Sequence, residues 1–465
     1  MKKFLISSTF LIMCTILLTG CIERTELSNI AIVAGLGIDK IDDRYELTVQ
    51  ILNPASITGE NQNALPVYSI KETGETIYEA YQKLDQITTS QLFLSHLNVI
   101  VINTELAESG IGPVLNFALR HTDIRPDINI VISKNASANE ILNVLTSIDT
   151  IPAAQLDIFT NRSASSTARL TNYNLYEVVD MVNSDSINVV LNSVSIHHEN
   201  NEQNTEGKLN RNLDSTNSNE FSTSTQNDTN NDENFDHQEN NNSDDFKGSE
   251  QDPSNNENSD ASNNNEETNS KNNQKIEGAT IDNILEITSP VQLRIDHLAV
   301  FNGDELVGFL DEDEAQFYNV LLGISKRYAL KARIDEEYYV AAEVTDVSSK
   351  IETNIEKNKA TINIEITAMI VENTYPIDLT TQDNLDIMSE HLQKQFENDI
   401  DSLINRIQTE FKTDVLGIGG RAYYDEHKLW TQKEGYWSEI FPDIDIKINI
   451  DFKIDSVGEI GNVVL

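Results

Sequence analysis

IDIKINIDFKI, residues 444–454, alternates without a break. Ile444, Ile446, Ile448, Ile450, Phe452 and Ile454 fall on one face, and charged or polar residues fall on the other. Successive strand side chains point to opposite faces, so this is a strand with one buried and one wet face. Such strands suit an antiparallel or mixed sheet with helices packed on one side.

Upstream, residues 384–413 place Leu385, Met388, Leu392, Phe396, Ile400, Leu403, Ile407 and Phe411 three and four apart. That spacing predicts a long helix with one apolar stripe. Residues 338–347 and 361–371 alternate as strands do. Residues 293–301 and 305–310 predict a hairpin around Asn302-Gly303. The acidic run 311–314 opens a helix, because carboxylates are stabilised at a helix N-terminus.

The N-terminal side has the same mixed character. Residues 30–38 and 45–51 predict paired strands, with Asp39, Lys40, Asp42 and Asp43 in the turn between them. Residues 97–102, LNVIVI, form a dense β-branched run expected to be a buried strand. Residues 128–132 and 187–196 predict further strands. Helices are expected over 76–84, 106–119, 138–145 and 176–182, with Pro113 an awkward residue inside the second. The fold class expected is α/β in the broad α+β sense: elongated, multi-domain, with mixed or antiparallel sheets and helices packed on them.

Between these halves the composition changes. Residues 199–274 hold 18 acidic and 4 basic residues among Asn and Ser, with very few apolar ones. Such a segment cannot bury enough apolar surface to offset its ordering entropy. Residues 199–275 are therefore expected to be a disordered insertion between an N-terminal region, 21–198, and a C-terminal region, 276–465. The latter is expected to include a distinct final α/β domain from about residue 335. Because loop-closure cost grows slowly with length, a folded domain can carry such an insertion.

The chain starts with Lys2 and Lys3, an apolar stretch at 4–18, and Leu18-Thr19-Gly20-Cys21. Positive charge, a short apolar core and small residues are the parts of a signal peptide, here 1–20. The apolar run is shorter than the ~20 residues of a spanning helix. Leu-Thr-Gly-Cys also resembles the lipobox of bacterial lipoproteins. That resemblance implies an S-diacylglycerol on Cys21, cleavage before it and an N-acyl chain, so that Cys21 begins the mature protein. The other cysteine, Cys14, lies inside the signal, which leaves the mature chain no thiol for disulfides, metal sites or catalysis. The expected location is the outer face of a cytoplasmic membrane, held by acyl chains.

A net charge of −43 argues against nucleic acid as a partner, since phosphate contacts need clustered Lys and Arg. No chemistry is assembled in the sequence. Residues 311–314 could bind a cation, but they also suit a helix start. Gly417-Ile418-Gly419-Gly420 lacks the phosphate-loop pattern and reads as a helix bend or packing site. His197-His198 has no partner at metal-ligand spacing. His96 and His121 offer no triad. Trp430 and Trp437 could line a ligand or partner site, and aromatic packing between helix and final strand is the stronger reading. We expect no catalytic residues, no metal site and no cofactor.

Several blocks resemble the Ger(x)C family, the C subunits of bacterial spore germinant receptors. They are ELSNIAIVAGLGID at 26–39, SHLNVIVINTELAESGIGPVLNFALRHTDIRPDINIVISKNASANEIL at 95–142, LAVFNGDELVGFLDEDEAQFYNVLLG at 298–323, DVLGIG at 414–419 and WSEIFP at 437–442. Ile22 and Glu23 depart from the family's usual tryptophan and aspartate, and the Asn-rich insertion is a further departure. The resemblance implies three α/β domains without a catalytic site. It also implies a receptor in the spore inner membrane, shared with integral-membrane A and B subunits, that responds to small nutrients such as amino acids or sugars. Cys21 is the one functional residue it carries over. Two other classes fit parts of the sequence: a solute-binding lipoprotein of a transport system, and a lipid-tethered hydrolase.

Overall fold

A computed structural model describes residues 30–57, 65–145, 150–166, 169–198, 291–324 and 327–456. Both flanks of the insertion contribute to the one unit these residues form. Cys21, the signal segment and residues 199–275 lie outside the described residues.

β1 (Ile30–Ile41) and β2 (Arg44–Leu52) pair antiparallel around Asp42, which takes φ +53°. Aspartate tolerates that conformation because its short side chain hydrogen-bonds locally. Strand β1 runs on to Ile41, so Asp39 stands inside a strand and not in the turn. On the far side of β2 lies β3 (Val67–Gly74). On the other side of β1 come β5 (Val99–Asn103), β6 (Asn129–Ser133) and β7 (Val190–His198), all parallel; the short β4 (Gln91–Phe93) also pairs with β1. Then β8 (Val291–Asn302) and β9 (Glu305–Leu310) complete the sheet antiparallel. The order is β3-β2-β1-β5-β6-β7-β8-β9. The sheet thus runs straight across the insertion.

Within LNVIVI the four residues VIVI, 99–102, are all apolar because β5 is covered on both faces. Ile100 and Ile102 face one core, with Leu36, Ile38, Ile130 and Ile132. Val99 and Val101 face the other, with Ala34 and Val131. Helices α1 (Ile77–Ile87), α2 (Thr104–Glu108), α3 (Gly112–Arg120) and α6 (Leu175–Val182) cover the first face; α4 (Ala138–Leu142) and α5 (Pro152–Ser166) cover the second. Helices on one side only therefore do not describe this sheet. The single helix expected over 106–119 is two helices. Pro113 falls in the first turn of α3, where its missing N–H costs nothing.

The second sheet is β10 (Tyr328–Arg333), β11 (Tyr339–Asn354), β12 (Lys359–Asn373) and β13 (Asp445–Ser456), in that order. The first two pairings are antiparallel and β12–β13 is parallel, which makes the sheet mixed. Helix α7 (Glu312–Leu321) precedes it, and α8 (Gln382–Arg406) packs on it. The apolar stripe of α8 meets the Ile face of β13. Ser389 Oγ and Gln393 Nε2 donate to the carbonyls of Phe452 and Ile450. A π-helical turn, Ile407–Phe411, ends α8 and is closed by Lys412 N–H donating to Ile407 O at 2.8 Å. Helices α9 (Ile418–Asp425) and α10 (His427–Lys433) lead back toward β13.

Candidate functional site

The residues that follow the π turn connect most of the unit. Thr413 Oγ1 donates to Phe301 O at the end of β8. The Asp414 carbonyl accepts from Asn188 N–H at 2.9 Å, just before β7. Tyr318 of α7 donates its hydroxyl to Val415 O at 3.1 Å. Gly420 N–H donates to Ser186 O at 2.9 Å. The eight residues 413–420 thus join β7 and β8 of the first sheet to α7, which precedes the second.

At its centre is the Asp414 carboxylate, 1% exposed. Oδ1 accepts from the N–H groups of Gly417 (2.9 Å) and Ile418 (3.2 Å). Oδ2 accepts from Gly419 N–H (2.7 Å) and Trp437 Nε1–H (3.0 Å). Burial pushes its carboxyl up from the ordinary aspartate value, against the four donors, each of which lowers it. A buried carboxylate is tolerated when its lone pairs are satisfied in this way.

The glycine run is explained by close approach. A Cβ on Gly419 would lie 2.7 Å from both Trp430 Cη2 and Trp437 Nε1, and 2.8 Å from Ser186 O. The two indoles pack edge-on, 5.0 Å apart at 62°, and both are buried. Gly417-Ile418-Gly419-Gly420 is therefore a packing site, and the tryptophans are core.

The other marked residues are accounted for locally. Asp311 caps α7: its Oδ1 accepts from Asp313 and Glu314 N–H, and Glu314 Oε2 accepts from Asp311 N–H. Glu314 also pairs with Arg406 of α8, whose guanidinium lies 4.8 Å from the Phe411 ring centre. His197 and His198 sit at the end of β7, opposite Gln292 and Val291. His96 packs on Phe93, and His121 meets Tyr81 edge-on at 4.9 Å. Among the described residues no group of His, Cys, Asp and Glu is placed to hold a metal. No described helix is long and apolar enough to cross a membrane.

Asp39 and Asp414 escaped the sequence reading as buried groups. Asp39, 2% exposed, accepts from Ala138 N–H at 2.7 Å and Asn139 N–H at 3.1 Å, the first turn of α4. For Asp414 a faint signal existed: an Asp three residues before Gly, in DVLG, is a local hydrogen-bonding pattern. For Asp39 the partners lie a hundred residues away, and nothing local marks it.

Against known proteins, residues 23–196 match the family described as spore germination protein N-terminal domain, and residues 296–458 match spore germination B3/GerAC like, C-terminal. Spore germination protein KC of Bacillus subtilis (strain 168) is 30% identical over 40% of this chain and 47% of its own length. Putative spore germination protein YfkR of the same organism is 30% identical over 34% and 42%. The chain thus spans about half the length of the curated relatives it matches. A solved structure titled "Crystal Structure of the GerBC protein" aligns with 90% of this chain and 97% of its own, at 16% identity and a TM-score of 0.45.

Proposed function

Because the chain belongs to the GerAC family of spore germination proteins, we propose that it is the C subunit of a spore nutrient germinant receptor. The observation that carries this reading is the ordered pair of matches: N-terminal domain, then C-terminal domain, on either side of the insertion. Names of relatives support it, since each is called a spore germination protein.

In this reading the chain is anchored by lipid on Cys21 to the outer face of the spore inner membrane and works with integral-membrane A and B subunits. Two acyl signals hold a protein stably where one does not. The anchor raises the local concentration of the folded unit toward its partners. The subunit then stabilises the receptor or passes on its change of state, and has no catalytic step of its own. The N-terminal region is 21–198 and the C-terminal region 276–465, with a final α/β domain from about residue 335. The four-stranded sheet that begins at Tyr328 supports that last division.

The test is nutrient-triggered germination of spores lacking the gene, followed as loss of optical density, with a receptor-independent trigger as control. Loss of response to one nutrient class with the control intact is expected. An unchanged response to every nutrient, in a strain without a second receptor of the same class, would sink the reading. Cys21→Ala should lower the membrane-bound amount and the response together; normal levels of both would remove the lipid from the mechanism.

A further inference from the structure

A groove of about 420 Å³ opens between the start of α1 and the length of α3. Its walls are largely apolar: Tyr45 from β2, Ile77 and Tyr78 from α1, and Pro113 and Phe117 from α3. That volume and lining are those of a small-molecule pocket, a mostly apolar hollow with a few placed polar groups. The polar groups are specific. Arg120 Nε donates to Asn116 Oδ1 at 3.0 Å, one turn back on α3. This bond orients the guanidinium, and no described residue accepts from its two terminal nitrogens. His121, also on the lining, has a buried Nδ1 without a hydrogen-bond partner among the described residues. Buried unpaired nitrogens are uncommon and ask for an explanation. Glu75 lies on the same groove, bringing one negative charge to it.

We infer that this groove binds a small molecule with an aromatic or branched apolar body and a single carboxylate, the body between Tyr45, Tyr78 and Phe117 and the carboxylate on Arg120. A planar guanidinium whose two terminal nitrogens are free matches a carboxylate two-to-two. Glu75 sets the limit of one carboxylate, because a second would meet a like charge. Burial lowers the pKa of His121, against the nearby Asp123 carboxylate, which disfavours a second cation on the groove. The inference concerns the groove alone and does not depend on the receptor reading.

The full chain in detergent, probed by saturation-transfer NMR and calorimetry, tests it with three compounds. These are 3-phenylpropionate, its amide, and phenylsuccinate. We expect 3-phenylpropionate to bind, and the amide and the dicarboxylate each to bind about tenfold more weakly, the worth of one charge-assisted contact. Arg120→Gln, at an exposed position, should weaken the acid about tenfold and leave the amide unchanged. Circular dichroism would check that this variant is folded. Leu119→Gln, exposed on the same helix but off the groove, should bind as the parent does. The inference is overturned if the acid gives no signal at millimolar concentration, if the amide equals the acid, or if Arg120→Gln leaves the acid unaffected. Equal binding of phenylsuccinate and 3-phenylpropionate would overturn the one-carboxylate limit.

Discussion

His198 and Val291 face each other as paired residues of β7 and β8, although residues 199–290 lie between them in the chain. β7 thus ends and β8 begins at neighbouring strand ends, where a hairpin turn would sit. Replacing 199–290 by a short Asn-Gly turn should therefore keep the fold. Loop-closure cost falls by about 0.6 kcal/mol for each halving of a flexible loop. The shortened protein should melt no lower than the parent and should support the same germination response. A lower melting temperature in calorimetry would show that the insertion contributes contacts to the unit.

Asp414→Asn should be strongly destabilising. Two donors approach each carboxylate oxygen. Whichever way the amide turns, its NH₂ faces two of the four donors. The expected loss is about 2 kcal/mol or more, the scale of buried hydrogen bonds to a charged group. Urea unfolding of parent and variant measures it, and near-equal midpoints would contradict the geometry.

Gly419→Ala places a methyl against two indoles and a carbonyl at once. Backbone and ring cannot both yield cheaply, so a cost of about 1–3 kcal/mol follows. Trp437 fluorescence should also change, because the methyl displaces the indole from Asp414. Gly435→Ala, where nothing stands within 4 Å of the new atom, is the control.

Burial raises the carboxyl of Asp39 above its ordinary value, with Glu46 adding to the rise and the Ala138 and Asn139 N–H groups and Lys71 opposing it. A raised carboxyl binds its proton more readily in the folded chain than in the unfolded one. Its contribution is therefore fully present below the unfolded value of 3.8 and is lost as pH rises through the folded value. Relative to Asp39→Asn, the parent should gain stability as pH is lowered from 7.5 toward 4.5. Parallel urea curves for the pair across that range check the sign; a parent that loses ground as pH falls would reverse it.

Asp304, in the β8–β9 turn, accepts from Gly112 N–H at 3.0 Å, and its carbonyl accepts from Ile111 N–H at 2.9 Å. The hairpin that follows the insertion thereby caps α3. Asp304→Ala should cost about 1 kcal/mol, the value of a helix cap. Hydrogen exchange should show the loss concentrated in the first turn of α3.

The sequence disclosed what local pattern controls. LNVIVI marks a strand covered on both faces, Asn302-Gly303 marks the β8–β9 hairpin with Gly303 at φ +62°, and the stripe from Leu385 to Phe411 marks α8. It concealed what depends on distant partners. Asp39 beside Lys40 and Asp42 looks like a turn residue; it is buried because α4 brings two N–H groups to it. Pro113 looked misplaced because the break before it depends on the Asp304 turn, which lies beyond the insertion. The joint at Asp414 was hidden for the same reason: Asn188 and Trp437 reach it from opposite sides in sequence. The groove between α1 and α3 could not be read because it is a gap between two elements, and neither helix carries its shape alone.

Open α/β sheets ordinarily receive ligands beyond the carboxyl ends of their parallel strands, where helix N-termini present free N–H groups. In this protein the carboxylate of Asp39 already occupies that seat at α4. An incoming anion would compete with a rival fixed in place by the backbone itself. The seat beyond the carboxyl end of β6 is thus filled from within, by a side chain of a strand in the same sheet.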